Sequence, residues 1–248
     1  MAEKNVKQRM HDGEVIICMS SGLASDPADV RATLKGGGFD LLQCDSQHAP
    51  FKEERLVPFC NLAEEYNMPV LFRIKNTRLA YQIGNWADLG PTGFEVPQVE
   101  TEVTVDDAIN ALYYPPIGRR SWGPSSGFGF TPERDRVEYA NWWNETGILL
   151  VQVESINAVT NARKLAKPGI DCISFGPADL TINLGTYPHH PLSLPSSAHH
   201  MLSDEVVRHV GDQLKGTGVS ICLRGVAPED RDRYIDMGVN VFLQRPIS

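Results

Sequence analysis

Nowhere in the 248 residues is there an unbroken apolar stretch of the ~20 residues that a membrane-spanning helix needs, so no membrane partner is expected. The opening segment, residues 1–13, is polar and carries no apolar core of the kind a secretion signal has, so a cytoplasmic protein is expected. Positive charge is in deficit: 23 Lys and Arg face 31 Asp and Glu, a net charge of −8, which disfavours nucleic acid and anionic lipid as partners and leaves small molecules. Cysteine is sparse. The five (Cys18, Cys44, Cys60, Cys172, Cys222) form no CxxC pair and sit mostly inside apolar runs, as buried reduced thiols do. Low-complexity tails and internal repeats are absent too.

What is present is alternation. Short apolar, β-rich runs occur at 15–19, 41–44, 70–72, 93–96, 148–153, 172–175, 219–223 and 239–243. Between them, segments of helical period are expected at 27–34, 53–66, 79–88, 105–112, 158–165, 204–214 and 228–237. Strand and helix in strict alternation means parallel βαβ units. Eight such units close most naturally into a single-domain (β/α)8 TIM barrel, with the site at the C-terminal ends of the strands. An open doubly wound sheet is the competing arrangement. The sequence ends at Ser248 directly after the eighth run, so the last outer helix is expected to be missing. A neighbouring subunit, the first residues of the chain, or a longer natural sequence would then have to cover that strand. Two long connections, 113–146 and 181–203, are read as loops that could wall a pocket.

Polar groups gather where a barrel places its chemistry: Asp45 and His48 after strand two, Arg73 after three, Gln98 after four, Gln152 and Glu154 at five, Asp179 after six. Period-2 alternation in the fifth run puts Leu150, Gln152 and Glu154 on one face, toward the barrel axis. A lone carboxylate there is costly. With Asp179 at the adjacent strand end, Glu154 can share a divalent cation, Mg2+ first, with Mn2+ or Co2+ as alternatives. Asp179 has a competing reading as a helix cap or surface charge. His48, three residues past Asp45, suits proton transfer near neutral pH, although a loop histidine is also commonly structural. Arg73 suits a carboxylate or developing enolate, or else a structural ion pair with a neighbouring acid. Trp122 reads as a pocket wall or as the pin of its own loop. His189, His190, His199 and His200 lie in a Pro/Ser-rich stretch without companion ligands, which reads as solvated loop. Gly36, Gly37 and Gly38 precede a strand, so they form no phosphate cradle.

In order along the chain, Gly38-Phe39-Asp40, Asp45-Ser46-Gln47-His48-Ala49-Pro50, Val70-Leu71-Phe72-Arg73, Asp88-Leu89-Gly90-Pro91-Thr92-Gly93, Tyr114-Pro115-Pro116-Ile117-Gly118-Arg119-Arg120, Gln152-Val153-Glu154 and Gly176-Pro177-Ala178-Asp179-Leu180 resemble the landmarks of the HpcH/HpaI aldolases, the class II pyruvate aldolases. The resemblance implies a lyase that makes or breaks a C–C bond next to a pyruvate enolate, working on a 2-oxo acid and an aldehyde. It implies Glu154 and Asp179 as metal ligands, Arg73 and Gln152 as substrate-binding groups, and Asp45 with His48 as the acid/base dyad. Backbone around Gly176, Pro177 and Ala178 would hold the pyruvate carboxylate, and Trp122 and Gln98 would build the aldehyde side. It further implies a homo-oligomer, trimer or hexamer. Two departures stand out: Gln47 where the family usually has Glu, and Gln98 where a macrophomate synthase-like member, which decarboxylates oxaloacetate, has His. Oxaloacetate decarboxylation or condensation is the second reading, and a catalytically silent barrel kept as a binding or scaffold protein is the third.

Overall fold

A computed structural model describes residues 4–123, 129–186 and 204–245. Eight parallel strands, β1 Ile16–Ser20, β2 Leu41–Asp45, β3 Val70–Arg73, β4 Gly93–Val96, β5 Ile148–Val153, β6 Cys172–Phe175, β7 Ser220–Arg224 and β8 Val239–Gln244, hydrogen-bond in sequence order, and β8 returns to β1. The barrel is therefore closed, as the alternation predicted, and the open sheet is set aside. Strands covered on both faces need no polar side, which is why β5 and β6 are buried along their whole length and read as continuous runs.

The helices are α1 Val6–His11, α2 Pro27–Gly36, α3 Leu56–Glu64, α4 Ile83–Ala87, α5 Glu102–Leu112, α6 Arg136–Thr146, α7 Ile156–Thr160, α8 Ala162–Leu165, α9 Pro177–Thr186, α10 Asp204–Leu214 and α11 Arg231–Ile235. Three of them lie where no helix was expected. α6 occupies the end of the connection read as a loop, and its start is fixed by Asp135, whose carboxylate accepts the amides of Val137 and Glu138. Its three aromatic residues obscured the helical period. α9 begins at Pro177, a position where proline is at home because the first-turn amide has no partner inside a helix. α1 is secured by a capping box between Asn5 and Gln8. The segment expected as one helix over 158–165 is split at Asn161 into α7 and α8. The four histidines between 189 and 200 lie outside the described residues.

Two apolar bodies hold the fold. The larger lies between the strands and the helices and includes Phe72, Phe94, Trp143, Phe175 and Phe242. The smaller fills the lower half of the barrel with Ile16, Cys18, Leu41, Leu71, Ile148, Leu150, Cys172, Cys222 and Val241, and Met10 of α1 closes it from below. The Met10 carbonyl is held there by Ser220 Oγ at 3.1 Å and Asn240 Nδ2 at 2.9 Å. All five cysteines are buried and free, as their apolar settings predicted. The outward ring of Phe242 on β8 is fully buried, with the Arg231 guanidinium 5.6 Å from its centre.

Candidate active site

Above the apolar floor the barrel axis turns polar. Arg73 pairs in register with Asp45 on one side and Glu95 on the other, and Gln152 pairs with Ser174, so the inward positions of the upper strands carry charge and amide groups. They open into a cavity of about 660 Å³ lined by Asp45, His48, Arg73, Gln152, Glu154 and Gly176 to Asp179, and on the far side by Arg224 and Arg245. The period-2 reading of β5 holds: Leu150 lies in the floor, while Gln152 and Glu154 reach the cavity.

Glu154 follows β5 and is 6% exposed. Its Oε2 is buried and has no hydrogen-bond partner among the described residues. Burial, then the charge of Asp179 and that of Glu95, push its carboxyl up to about 7. Asp179 sits in the first turn of α9, where it is half-buried beside Glu154. The local sequence explains how the two meet. A Cβ at Gly176 would stand 2.0 Å from Glu154 Oε1, so only glycine lets that side chain cross the end of β6 toward α9. Two carboxylates, one of them orphaned and destabilised by its neighbour, form a hard-oxygen donor pair that suits a divalent cation completed by water and ligand. Among the described residues no cluster of three or more His, Cys, Asp or Glu side chains accompanies them.

The amides above this pair are open to an anion. Gly176 N–H is spent on the Val153 carbonyl and Pro177 has none, while those of Ala178 and Asp179 make no hydrogen bond among the described residues. A helix N-terminus of this kind receives carboxylates well.

Asp45 and His48 both reach the cavity, but the expected pairing between them is not formed. The Asp45 carboxylate is taken by Arg73, whose Nε donates to Oδ1 at 2.8 Å and Nη2 to Oδ2 at 2.5 Å. Gln47 N–H adds a third bond at 2.9 Å. Burial raises this carboxyl, and the Arg73 guanidinium outweighs it, so Asp45 stays below its ordinary range. The competing reading of Arg73 as an ion-pair partner is thus also realised, and its Nη1, 3.4 Å from Gln152 Oε1, is the arm left toward the cavity. His48 faces the cavity and makes no hydrogen bond among the described residues. The side chain of Gln47 leaves its Oε1 buried and unpartnered.

One expected residue stands elsewhere. Trp122, anticipated on the aldehyde side, lines neither cavity at the barrel mouth; it packs on Tyr114, Phe130 and Tyr139 and pins its loop to α6. The aromatic rings of that segment join the larger apolar body instead of walling a pocket. Gln98, in the left-handed backbone region at φ 52°, lines a second cavity of about 280 Å³ that Glu154 and Asp179 also line, together with Glu100, Ser155, Ile182, Asn183 and Thr186.

Five polar groups were missed, Arg245 at the cavity edge among them. Glu95 is fully buried inside the barrel and accepts from Gln43 Nε2 at 2.9 Å, Ser174 Oγ at 2.5 Å and Arg224 Nη2. Burial raises its carboxyl and the Arg224 and Arg73 charges bring it below the ordinary range. The signal was available: Glu95 and Gln43 are charged or amide residues within runs otherwise apolar, and Arg224 directly follows one. Ser20 completes this polar wall.

The HpcH/HpaI aldolase/citrate lyase family model matches residues 23–201. The chain belongs to that family. A 2-keto-3-deoxy-L-rhamnonate aldolase of Escherichia coli is 29% identical over 239 residues, covering 94% of this chain and 84% of its own. Among solved structures, the HpcH/HpaI aldolase from Desulfitobacterium hafniense DCB-2 superposes with a TM-score of 0.82 at 23% identity, over 98% of this chain and 90% of its own. Macrophomate synthase superposes at 0.78 with 21% identity, over 98% and 84%. At such identities the two superpositions speak for the barrel, and the HpcH/HpaI membership rests on the matched sequence.

Proposed function

We propose that this HpcH/HpaI chain is a divalent-metal-dependent carbon–carbon lyase that cleaves a 4-hydroxy-2-oxo acid to pyruvate and an aldehyde. The observation that carries the reading is the Glu154–Asp179 pair, one carboxylate buried with an oxygen lacking any partner, under two amides at the start of α9. A cation bound there, Mg2+ first with Mn2+ or Co2+ in its place, supplies the positive charge that stabilises an enolate. The amides of Ala178 and Asp179 receive the 2-oxo acid carboxylate, and Arg73 Nη1 with the Gln152 amide steadies the oxygen that gains charge. Asp45 is a positioning residue: by clamping two edges of the guanidinium it fixes where the third points. His48, with no hydrogen bond to satisfy first, takes the proton of the 4-hydroxyl as the C–C bond breaks. No lysine lines the cavity, and Lys75 is exposed outside it, which agrees with a route free of a Schiff base.

Oxaloacetate decarboxylation passes through the same enolate without a hydroxyl proton to remove, so these groups serve it too. A homo-oligomer acting on small molecules in the cytoplasm completes the reading, the oligomer following from the family resemblance and the small-molecule partners from the acidic net charge. The test is pyruvate release from a panel of 4-hydroxy-2-oxo acids with and without EDTA. Activity that vanishes with chelator and returns with Mg2+, Mn2+ or Co2+ is expected; full activity in EDTA together with borohydride trapping on a lysine overturns it.

A further inference from the structure

Glu154 and Asp179 come to one place from different elements, the first from the chain just past β5 and the second from the first turn of α9. Like charges held side by side push apart unless the backbone beneath them is fixed. One side chain ties the two backbones. Asn183, four residues past Asp179 and so on the same face of α9, accepts the N–H of Ile156 at 2.9 Å through Oδ1. Ile156 opens α7 and stands two residues past Glu154. Among the described residues this is the only hydrogen bond from a side chain of α9 to another element; Thr181 and Thr186 spend their hydroxyls on carbonyls of the helix itself. Capping alone does not account for it, because α7 is already capped by Ser155, whose Oγ accepts the N–H of Ala158 at 3.2 Å. Leu180 and Leu184, both buried, hold α9 against rotation, so the tie at Asn183 acts on its sideways position. Asn183, Asp179 and Glu154 line the same small cavity.

We propose that Asn183 is a positioning residue for the cation site: by holding the Ile156 amide it fixes α9 against the chain that carries Glu154, and so sets the gap between the two carboxylates. This role rests on the reading that Glu154 and Asp179 bind a divalent cation. A fixed gap is a filter for ion size. Mg2+ demands oxygens at about 2.0–2.1 Å in a near-ideal octahedron, whereas Ca2+ accepts about 2.3–2.6 Å in flexible geometries. Loosening α9 therefore costs Mg2+ more than Ca2+. A change of charge nearby moves both ions alike, so the ratio of the two affinities reads the gap and not the charge. Ile156 is half-buried, so its amide can turn to water once the tie is gone, which keeps the fold out of the result.

Calorimetric titration of the metal-free protein with Mg2+ and with Ca2+ tests it without turnover. Asn183→Leu, near in volume and without an acceptor, should bind Mg2+ about tenfold more weakly, the lower end of what a lost supporting hydrogen bond costs a metal site, and Ca2+ within about threefold of the parent. Asn183→Asp keeps the acceptor and adds a charge; both ions should bind it more tightly, with the parent's ratio of Mg2+ to Ca2+ affinity kept within about twofold. Circular dichroism checks that each variant folds, and Asn183→Ala carries the same expectation as Asn183→Leu where the larger side chain disturbs the helix. Mg2+ affinity within about twofold of the parent in Asn183→Leu and Asn183→Ala, or a fall shared equally by both ions, overturns the positioning role and leaves the cation site intact. Loss of the fold in both makes Asn183 a structural residue and overturns it likewise. Failure of the parent to bind either ion overturns the cation reading and the role of Asn183 with it.

Discussion

Gly176→Ala adds a single methyl group at the place where β6 hands over to α9. That methyl would lie 2.0 Å from Glu154 Oε1, 2.5 Å from its Cγ and 2.6 Å from its Cδ, whereas ordinary contact begins near 3.4 Å. The carboxylate must therefore retreat by more than ~1 Å, or the strand end must move. Overpacking of this kind costs typically 1–3 kcal/mol, and a displacement of ~1 Å in a reacting geometry costs on the order of 10²-fold in rate. The variant should thus fold, melt a few degrees lower, and lose about 10²-fold in pyruvate release, with the loss partly relieved by higher Mn2+. Gly185→Ala is the control: it lies in the same helix with nothing within 4 Å of the added methyl, and should be neutral or slightly stabilising. If Gly176→Ala kept activity and metal affinity within about twofold of the parent, the close crossing of Glu154 over Gly176 would have no part in the chemistry, and the pairing of Glu154 with Asp179 would lose its structural basis.

Glu154→Gln should abolish metal-dependent activity and weaken Mn2+ binding while leaving the fold intact, because it removes charge at constant volume; calorimetry with Mn2+ checks this. The Glu154 carboxyl, raised to about 7 from an ordinary 4.5, binds its proton more tightly in the folded chain. The stability this contributes is full below pH ~4.5 and lost as pH rises through ~7, so the metal-free protein should melt lower across that window relative to Glu154→Gln, and Mg2+ should reverse the loss; parallel melting curves for parent and variant would refute it. His48→Ala should damage aldol cleavage by ~10²–10⁴ and oxaloacetate decarboxylation far less, since only cleavage removes a hydroxyl proton. An equal fall in both reactions, with 2-oxo acid binding unchanged, would move His48 to a positioning role.

Alternation of short buried runs with helical segments was enough to determine parallel βαβ units, because a parallel strand covered on both faces must be apolar throughout and the connections between such strands must be helices, whereas closure into a barrel was decided by the pairing of β8 with β1. It was also enough to set Gln152 and Glu154 on the inner face, since strand period 2 leaves no other choice. Local rules missed α1, α6 and α9: their starts depend on caps and on Pro177, and their apolar periods are short or crowded with aromatics. Which partner a charged group finds is a matter of distance across strands far apart in sequence, and there the tertiary structure decided. Asp45 is three residues from His48 along the chain yet bonds Arg73, 28 residues away, because β2 and β3 lie in register and a fixed guanidinium satisfies both carboxylate oxygens. Trp122 was drawn into an aromatic cluster by Tyr139 of α6, an element that local pattern did not reveal. Glu95 and Arg224, 129 residues apart, meet only because the barrel closes, and that closure creates both the buried ion pair and the cationic wall beside it.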